Sequence, residues 1–482
     1  MISKKDLQKI TEYLWEIPKN FRQDMRVPAH IYTTEKMLEE SLKDNSLDQL
    51  ANVATLPGII KHSLAMPDMH EGYGFPIGGV AAMDIKEGVI SPGGVGYDIN
   101  CGMKLLKSSY AAKDIQPYLD KLATEIQKEV PSGLGRGRQI RLDLESLDKI
   151  LNSGARELVG QGYGQIEDIE NCEAGGFLET ADASLVSERA KKRGSDQVGT
   201  LGSGNHFLEI QRVDEIFDEK TARFFGLFKD QVVIMIHTGS RGLGHQIATD
   251  YIQLMIQAMP KYGIQLPDRE LAACPINSEE GQRYFKAMCA GANFAWANRQ
   301  MIAFYIRKAW SAILGEKTGG LEALYDVAHN IAKIEKYLIN NKETEVVVHR
   351  KGATRSFGPN HPEIPLKYRE VGQPVLIPGS MGTSSYVLVG TETAMEATWG
   401  SACHGAGRTM SRHAAIRAVS PSELIKKLES QGIVVKCYSY RGLAEEAPEA
   451  YKNIEEVVEV VHNSGLSRKV VKLKPLAVIK GE

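Results

Sequence analysis

Apolar and polar positions follow two rhythms along this chain. From Met66 to Gly102, "MPDMHEGYGFPIGGVAAMDIKEGVISPGGVGYDINCG", short apolar runs are cut by glycine and proline, the mark of strands joined by demanding turns. Helical spacing is expected over about 4–16 and again over 34–51, where Leu38, Leu42, Leu47 and Leu50 form a stripe, and the polar segment 111–195 reads as mostly helical with a loop at "PSGLGRGRQ". Further on, "VGTLGSGNHFLEI" is a glycine turn that delivers Asn205 and His206 to a short apolar strand. "QVVIMIHTGSRGLGHQIATDYIQLMIQAM" is a buried strand ending in His237, then a glycine turn, then a helix with Ile247, Tyr251, Leu254 and Ala258 on one face. "ALYDVAHNIAKI" presents His329 and Asn330, "EVVVHRKGATR" reads as a strand running into a basic loop, and "QPVLIPGSMGTSSYVLVG" as strand, turn, strand. "GSACHGAGRTMSRHAA" resembles a turn opening a helix around His404. Strands recur without a regular βαβ beat, no repeat has a solenoid period and no stretch reads as a linker. The expectation is an α+β fold, one large mixed domain over 1–482 with several sheets and glycine-rich turns around a central site.

Composition narrows the class. The 43% hydrophobic and 24% charged content suits a globular protein. No segment approaches the roughly 20 apolar residues that span a bilayer, so a cytoplasmic protein without a membrane partner is expected. Six scattered cysteines in 482 residues are not a secreted disulfide framework and should be reduced. Lys plus Arg (58) nearly balances Asp plus Glu (60), so a phosphate-rich ligand must be held by local patches. Two exist, "ERAKKRG" at 188–194 and "HRKGATR" at 349–355; charge pattern alone reads the first as a solvated helix face.

Candidate chemistry gathers at the turns. His206, His237, His329 and His404 lie at strand ends or glycine turns, together with Asp98 and Cys101. Singly, each histidine reads as a hydrogen-bonded or surface residue, and Cys101 as a small buried hydrophobe. Together they fit a transition-metal site in which a thiolate bridges two ions, with the preceding glycines letting the backbone aim Asp98 and Cys101 at one centre. Sulfur and imidazole favour zinc, whereas manganese would depend on supply and on the carboxylate. "LGSGNH" and "PGSMGTSS" lack the P-loop pattern and each alone reads as a tight turn; beside histidines they suggest a nucleotide's phosphates. A metal-dependent phosphoesterase and an RNA-binding protein with structural metals stay open at this level.

The motifs "PDMHEGYGFPIGGVAA", "GGVGYDINCG", "GSGNHFLE", "HTGSRGLGH", "YDVAHN", "HRKGATR", "PGSMGTSSY", "CHGAGR" and "AEEAPEAYK" together resemble the RtcB family of RNA-splicing ligases, over essentially the whole chain. The resemblance implies joining of an RNA 2′,3′-cyclic phosphate or 3′-phosphate end to a 5′-hydroxyl end, in tRNA splicing or RNA repair, with GTP and two Mn2+ ions. It places one ion on Asp98, Cys101 and His206, the other on Cys101, His237 and His329, and guanylylation on His404. It implies a nucleotide pocket from Asn205, His206, Phe207, Leu208, Glu209, His329, Asn330, Pro378, Gly379, Ser380, Met381, Ser385, His404, Gly405, Ala406, Gly407, Tyr451 and Lys480, with Glu209 suited to guanine. Arg189, Lys191, Arg193, Arg241, Arg350, Lys351 and Arg408 are candidate RNA contacts. RNA ends, and an archease-type activating protein, are the partners it implies; a monomer is expected.

Overall fold

The fully buried run Gln231–Thr238 can lie only in the middle of a sheet, and it does. In the computed structural model, which describes residues 2–132, 142–315, 320–439 and 442–481, two large sheets organise the chain. The first has the order β11 (Glu322–Ala328), β7 (Gly102–Ala111), β9 (Gln231–Thr238), β8 (Phe207–Ile216), β19 (Ser467–Lys480), β16 (Ser385–Gly390), β15 (Pro374–Ile377), with β18 (Val434–Cys437) paired to β19. The second runs β1 (Gln8–Lys9), β2 (Leu14–Ile17), β3 (Ala29–Tyr32), β4 (Ser63–His70), β5 (Ile77–Asp84), β13 (Lys342–Lys351), β12 (Asn330–Ile339). Two short pairs, β6 (Val89–Ile90) with β10 (Cys274–Pro275) and β14 (Ala353–Arg355) with β17 (Ser401–Cys403), complete the strands. The fold is mixed α/β, as the irregular strand spacing implies.

The chain passes from the first sheet to the second at His329, which separates β11 from β12, and leaves the second through Gly352, whose φ of +62° turns β13 into β14 of the short β14–β17 pair. The functional turns therefore lie where the two sheets meet. Behind the first sheet runs a 36-residue helix, Glu279–Leu314, capped by Ser278 and buried over most of its length. A helix apolar on all sides belongs in a core, yet this one buries Asn293, Asn298, Arg299 and Gln300 completely. Arg299 explains why. Its Nε donates to Asp326 on β11 (2.8 Å), and its two terminal nitrogens donate to the Asn100 carbonyl (2.8 Å), the Thr238 carbonyl (2.9 Å) and Asn100 Oδ1 (3.0 Å).

Three local expectations are corrected. Residues 4–16 form a 3-10 turn and short strands, because Trp15 and Ile17 pack as the edge of the second sheet beside β3; tertiary pairing overrides the helical spacing. The stripe over 34–51 is two helices, Glu35–Ser41 and Ser46–Val53, interrupted at the polar stretch before Ser46. His404 opens no helix: it follows β17, and the next helix starts at Arg412. The segment 111–195 is largely helical as expected, while most of the loop at 131–139 lies outside the described residues.

Removing the Arg299 guanidinium leaves a buried carboxylate facing only Lys104, 3.7 Å away. Arg299→Leu should cost about 3–5 kcal/mol and lower the thermal unfolding midpoint. The double variant Arg299→Leu/Asp326→Leu should recover part of the loss, since the unpaired charge goes with it.

Candidate metal and nucleotide site

Four neighbouring strands of the first sheet end level with one another, and their ends carry the candidate ligands. Gly102 pairs with Ala328 on one side and Thr238 on the other, and His237 stands opposite Met103 and Phe207. Cys101, His206 and His329 each sit one residue outside β7, β8 and β11, so register alone brings them beside His237. Asp98 joins them through a tight turn in which Cys101 N–H donates to the Asp98 carbonyl (3.0 Å) and Asn100 takes a left-handed φ of +51°; Arg299 holds that turn from below.

Two triads result, Asp98–Cys101–His206 and Cys101–His237–His329, each with ligand atoms within 4.8 Å of one another. Cys101 Sγ lies 3.6 Å from His206 Nε2 and 3.3 Å from His237 Nε2. His206 Nε2 is 2.8 Å from Asp98 Oδ2, and the Nε2 atoms of His237 and His329 face each other at 3.3 Å. Burial drives His237 and His329 well below the usual imidazole range, helped by the neighbouring histidines, so both are neutral ligands. Burial, with Asp98 adjacent, pushes the Cys101 thiol well up; a thiolate here calls for a positive ion. Burial would also raise Asp98, but His206 and Arg241 hold it at about 2. Neutral imidazoles converging nitrogen to nitrogen, a shared sulfur and an ionised carboxylate fit divalent cations as a donor set.

His404 arrives from the short β14–β17 pair, directly after β17, its ring 5.0 Å from that of His329. Its Nδ1 is 2.5 Å from Asp68 Oδ2, which also accepts the His404 (3.0 Å) and Gly405 (3.3 Å) backbone N–H groups. Asp68 is fully buried on β4, where the register slips between Ala65 and His70. Lys452 donates to the Pro67 and Met69 carbonyls on either side, fixing the irregular stretch that carries Asp68. Gly407, at φ +73°, must lack a Cβ, which would lie 2.1 Å from the Asp68 carbonyl oxygen. Asp68 was missed from sequence; a carboxylate at Nδ1 favours the His404 tautomer with its proton there, which leaves Nε2 unprotonated.

One cavity joins these groups. Of the residues the resemblance assigns, Asp98, Cys101, Asn205, Phe207, Glu209, His237, His329, Asn330, Pro378–Met381, His404–Gly407, Tyr451 and Lys480 line it. Leu208 is fully buried and does not line it. Ser385 also stands behind the wall, its Oγ accepting from Gly379 N–H (3.2 Å) and Gln211 Nε2 (3.0 Å). Lys480 Nζ donates to the Gly204 (2.6 Å) and His206 (2.9 Å) carbonyls and so closes the glycine turn. Burial raises Glu209 to about 8 despite Gln211 and Lys480, leaving its carboxyl largely protonated at neutral pH.

The basic candidates divide. Arg189 and Arg193 are exposed on the helix Glu188–Gly194, and Lys191 pairs with Asp148 (2.7 Å). Arg241 sits above the metal triad, 3.1 Å from His206 Nδ1, at a position where a side chain on Gly202 would overlap it. Arg408 lies over Tyr451 and lines the cavity. The supposed basic loop at 349–355 is instead buried strand. Arg350 is fully buried in a two-pronged pair with Glu335 (2.6 and 2.8 Å) and presents no surface to RNA; Lys351 is buried with its ammonium on the Tyr73 and Phe75 carbonyls.

Residues 49–481 match the family model described as tRNA-splicing ligase RtcB. Curated proteins of that name resemble the chain along its length. The one from Thermococcus kodakarensis is 53% identical over 98% of this chain and 99% of its own. That from Archaeoglobus fulgidus is 54% identical over the same shares, and that from Methanococcus maripaludis 54% identical over 99% of this chain and 100% of its own. With the motifs spread from β4 to Lys452 and contributing to one cavity, the chain belongs to the RtcB family.

Proposed function

We propose that this protein is a GTP-dependent RNA ligase that joins a 2′,3′-cyclic phosphate or 3′-phosphate end to a 5′-hydroxyl end, acting on tRNA exon halves or broken RNA. The observation that carries this reading is His404, held as a nucleophile by Asp68 beside two triads that share Cys101. Two divalent cations, Mn2+ by the family resemblance, would be held by Asp98, Cys101, His206, His237 and His329 and would neutralise phosphate charge as it develops.

The protein's own groups account for the rest. His404 Nε2 attacks the α-phosphorus of GTP, forming an N–P bond as the bond to the β-phosphate oxygen breaks and pyrophosphate departs. Asp68 keeps the Nδ1 proton throughout and stabilises the charge that accumulates on the ring. A cyclic phosphate is first opened by water to a 3′-phosphate. An oxygen of that 3′-phosphate then displaces His404 from the GMP phosphorus, giving a 3′-diphosphate-linked guanosine. Finally the 5′-hydroxyl attacks the RNA phosphorus and GMP leaves. Glu209 recognises guanine by accepting from its N1 and N2 donors, a pattern adenine does not offer. Family names carry the ligase reading: the relatives at 53–54% identity are named tRNA-splicing ligases.

Incubation with α-³²P-GTP and Mn2+ should label the wild type in an acid-labile linkage and leave His404→Ala unlabelled. Asp68→Asn should slow labelling by on the order of 10²–10⁴. Labelled His404→Ala, or an unlabelled wild type under every divalent metal, would overturn the reading in favour of a metal-dependent phosphoesterase. Metal analysis separates the triads: Cys101→Ser should lose both ions, Asp98→Ala one.

Glu209 supplies a pH dependence. It is protonated below about pH 8 in the free pocket and must ionise to accept from guanine. GTP affinity therefore rises with pH up to about 8 and levels above it. Titration calorimetry at pH 7 in buffers of differing ionisation enthalpy should show about one proton released per GTP. Glu209→Gln should abolish that release and weaken binding by about 1.5–3 kcal/mol.

A further inference from the structure

The ligand turn has a second face. Tyr97, the residue before Asp98, is part-exposed, and its ring stacks on the imidazole of His245 with centroids 4.7 Å apart and planes 25° from parallel. Tyr73 meets Tyr97 edge to face, at 5.3 Å. His245 stands one helical turn beyond Arg241 in the helix Arg241–Ala258, on the same side, and is exposed. One face of the His245 ring lies against Tyr97 and the residue is exposed, so a flat aromatic partner has access to the stack.

Charge around this stack is uneven. Arg193 and Asp98 are the leading charges felt by His245, and Arg193 is anchored to Gln246, the next residue, by a 2.9 Å bond to Oε1. The carboxylates of Glu270 and Asp268 act on Tyr73 at the far end. A polyanion is therefore drawn along the Arg193 and Arg241 side and kept from the Tyr73 side, while the rings offer a neutral surface between. Asp98, 28% exposed, is where this surface reaches the metal triad. None of Tyr73, Tyr97 and His245 lines the cavity that holds Glu209, Tyr451 and Lys480, which reaches the same centre at Asp98 and Cys101, so a base on the Tyr97 stack and a nucleotide in the cavity occupy separate surfaces.

We propose that the Tyr73–Tyr97–His245 stack is the platform for the terminal nucleobase of the RNA 3′-phosphate end, placing the 3′-phosphate beside Asp98 while Arg193 and Arg241 take the preceding phosphates. The inference rests on the ligase reading and names the part of the substrate that this face receives. A 3′-terminal base is one ribose away from its 3′-phosphate, and the stack begins one residue away from a candidate metal ligand. Stacking tolerates any base, because every base has a π-face, and this matches a ligase that must accept many ends.

The test uses short RNAs carrying 2-aminopurine, whose fluorescence falls on stacking, either at the 3′-terminal nucleotide with a 3′-phosphate or at the 5′-terminal nucleotide with a 5′-hydroxyl. Titration with the full-length protein and Mn2+, without GTP, should quench the 3′ probe. His245→Ala should relieve the quench and weaken binding roughly tenfold, His245→Phe should restore both, and an RNA abasic at its 3′ terminus should bind wild type and His245→Ala equally. Quenching confined to the 5′ probe, or undiminished in His245→Ala, would overturn the assignment. Self-labelling of the wild type with GTP keeps the two readings apart: labelling without 3′ quenching sinks the platform alone, and no labelling sinks the ligase reading first.

Discussion

The guanidinium of Arg299 is the interaction on which the site depends. It is buried completely in the long helix Glu279–Leu314, pairs with Asp326 and spends its other donors on carbonyls of Asn100 and Thr238. Those carbonyls belong to the two segments that carry Asp98 and Cys101 on one side and His237 on the other. A buried ion pair is weak evidence of net stabilisation, so the cost of hiding this charge is better understood through what it orients. Without it the Asn100 turn, already in a left-handed conformation, loses the donors to its carbonyl and to Asn100 Oδ1, the Thr238 carbonyl loses a third, and the strand ends lose what ties them together.

Around that anchor the site sets two opposed electrostatic demands side by side. Burial strips His237 and His329 of charge and discourages the Cys101 thiolate, while Asp98 remains ionised. These demands are reconciled when positive ions occupy the space between the ligands. His404 is governed differently. Its ring is tied by a buried carboxylate from another sheet, so its free nitrogen faces the same space without belonging to either triad. His404 and the two triads are thus held by separate strands that converge at the cavity, where β11 gives way to β12.

Much of this was legible in the sequence because strand ends and glycine turns are local features. His206, His237 and His329 stand at such ends, and sheet register then brings them together with Cys101. Asp68 was not legible: it lies 336 residues from His404, and its direction depends on a slipped register in β4 and on Lys452. Arg350 misled for a related reason. A run of cations reads as solvated or phosphate-binding when its compensation, Glu335 on the neighbouring strand, is out of sight. Arg299 did leave a trace, since a charged residue among the alanines of "GANFAWANRQM" is a buried polar group awaiting partners. The early segment 4–16 shows the opposite limit, in which helical spacing yields to pairing at a sheet edge.

The central claim is that the RNA 3′-phosphate is the group activated and retained. It is tested most directly by ligating a 5′-hydroxyl RNA to a partner whose 3′-phosphate carries ³²P, then digesting the product to mononucleotides. The account predicts that the label moves into the new phosphodiester and becomes resistant to phosphatase, only when GTP is present. Label released as inorganic phosphate, with no joined product under any divalent metal, would contradict it.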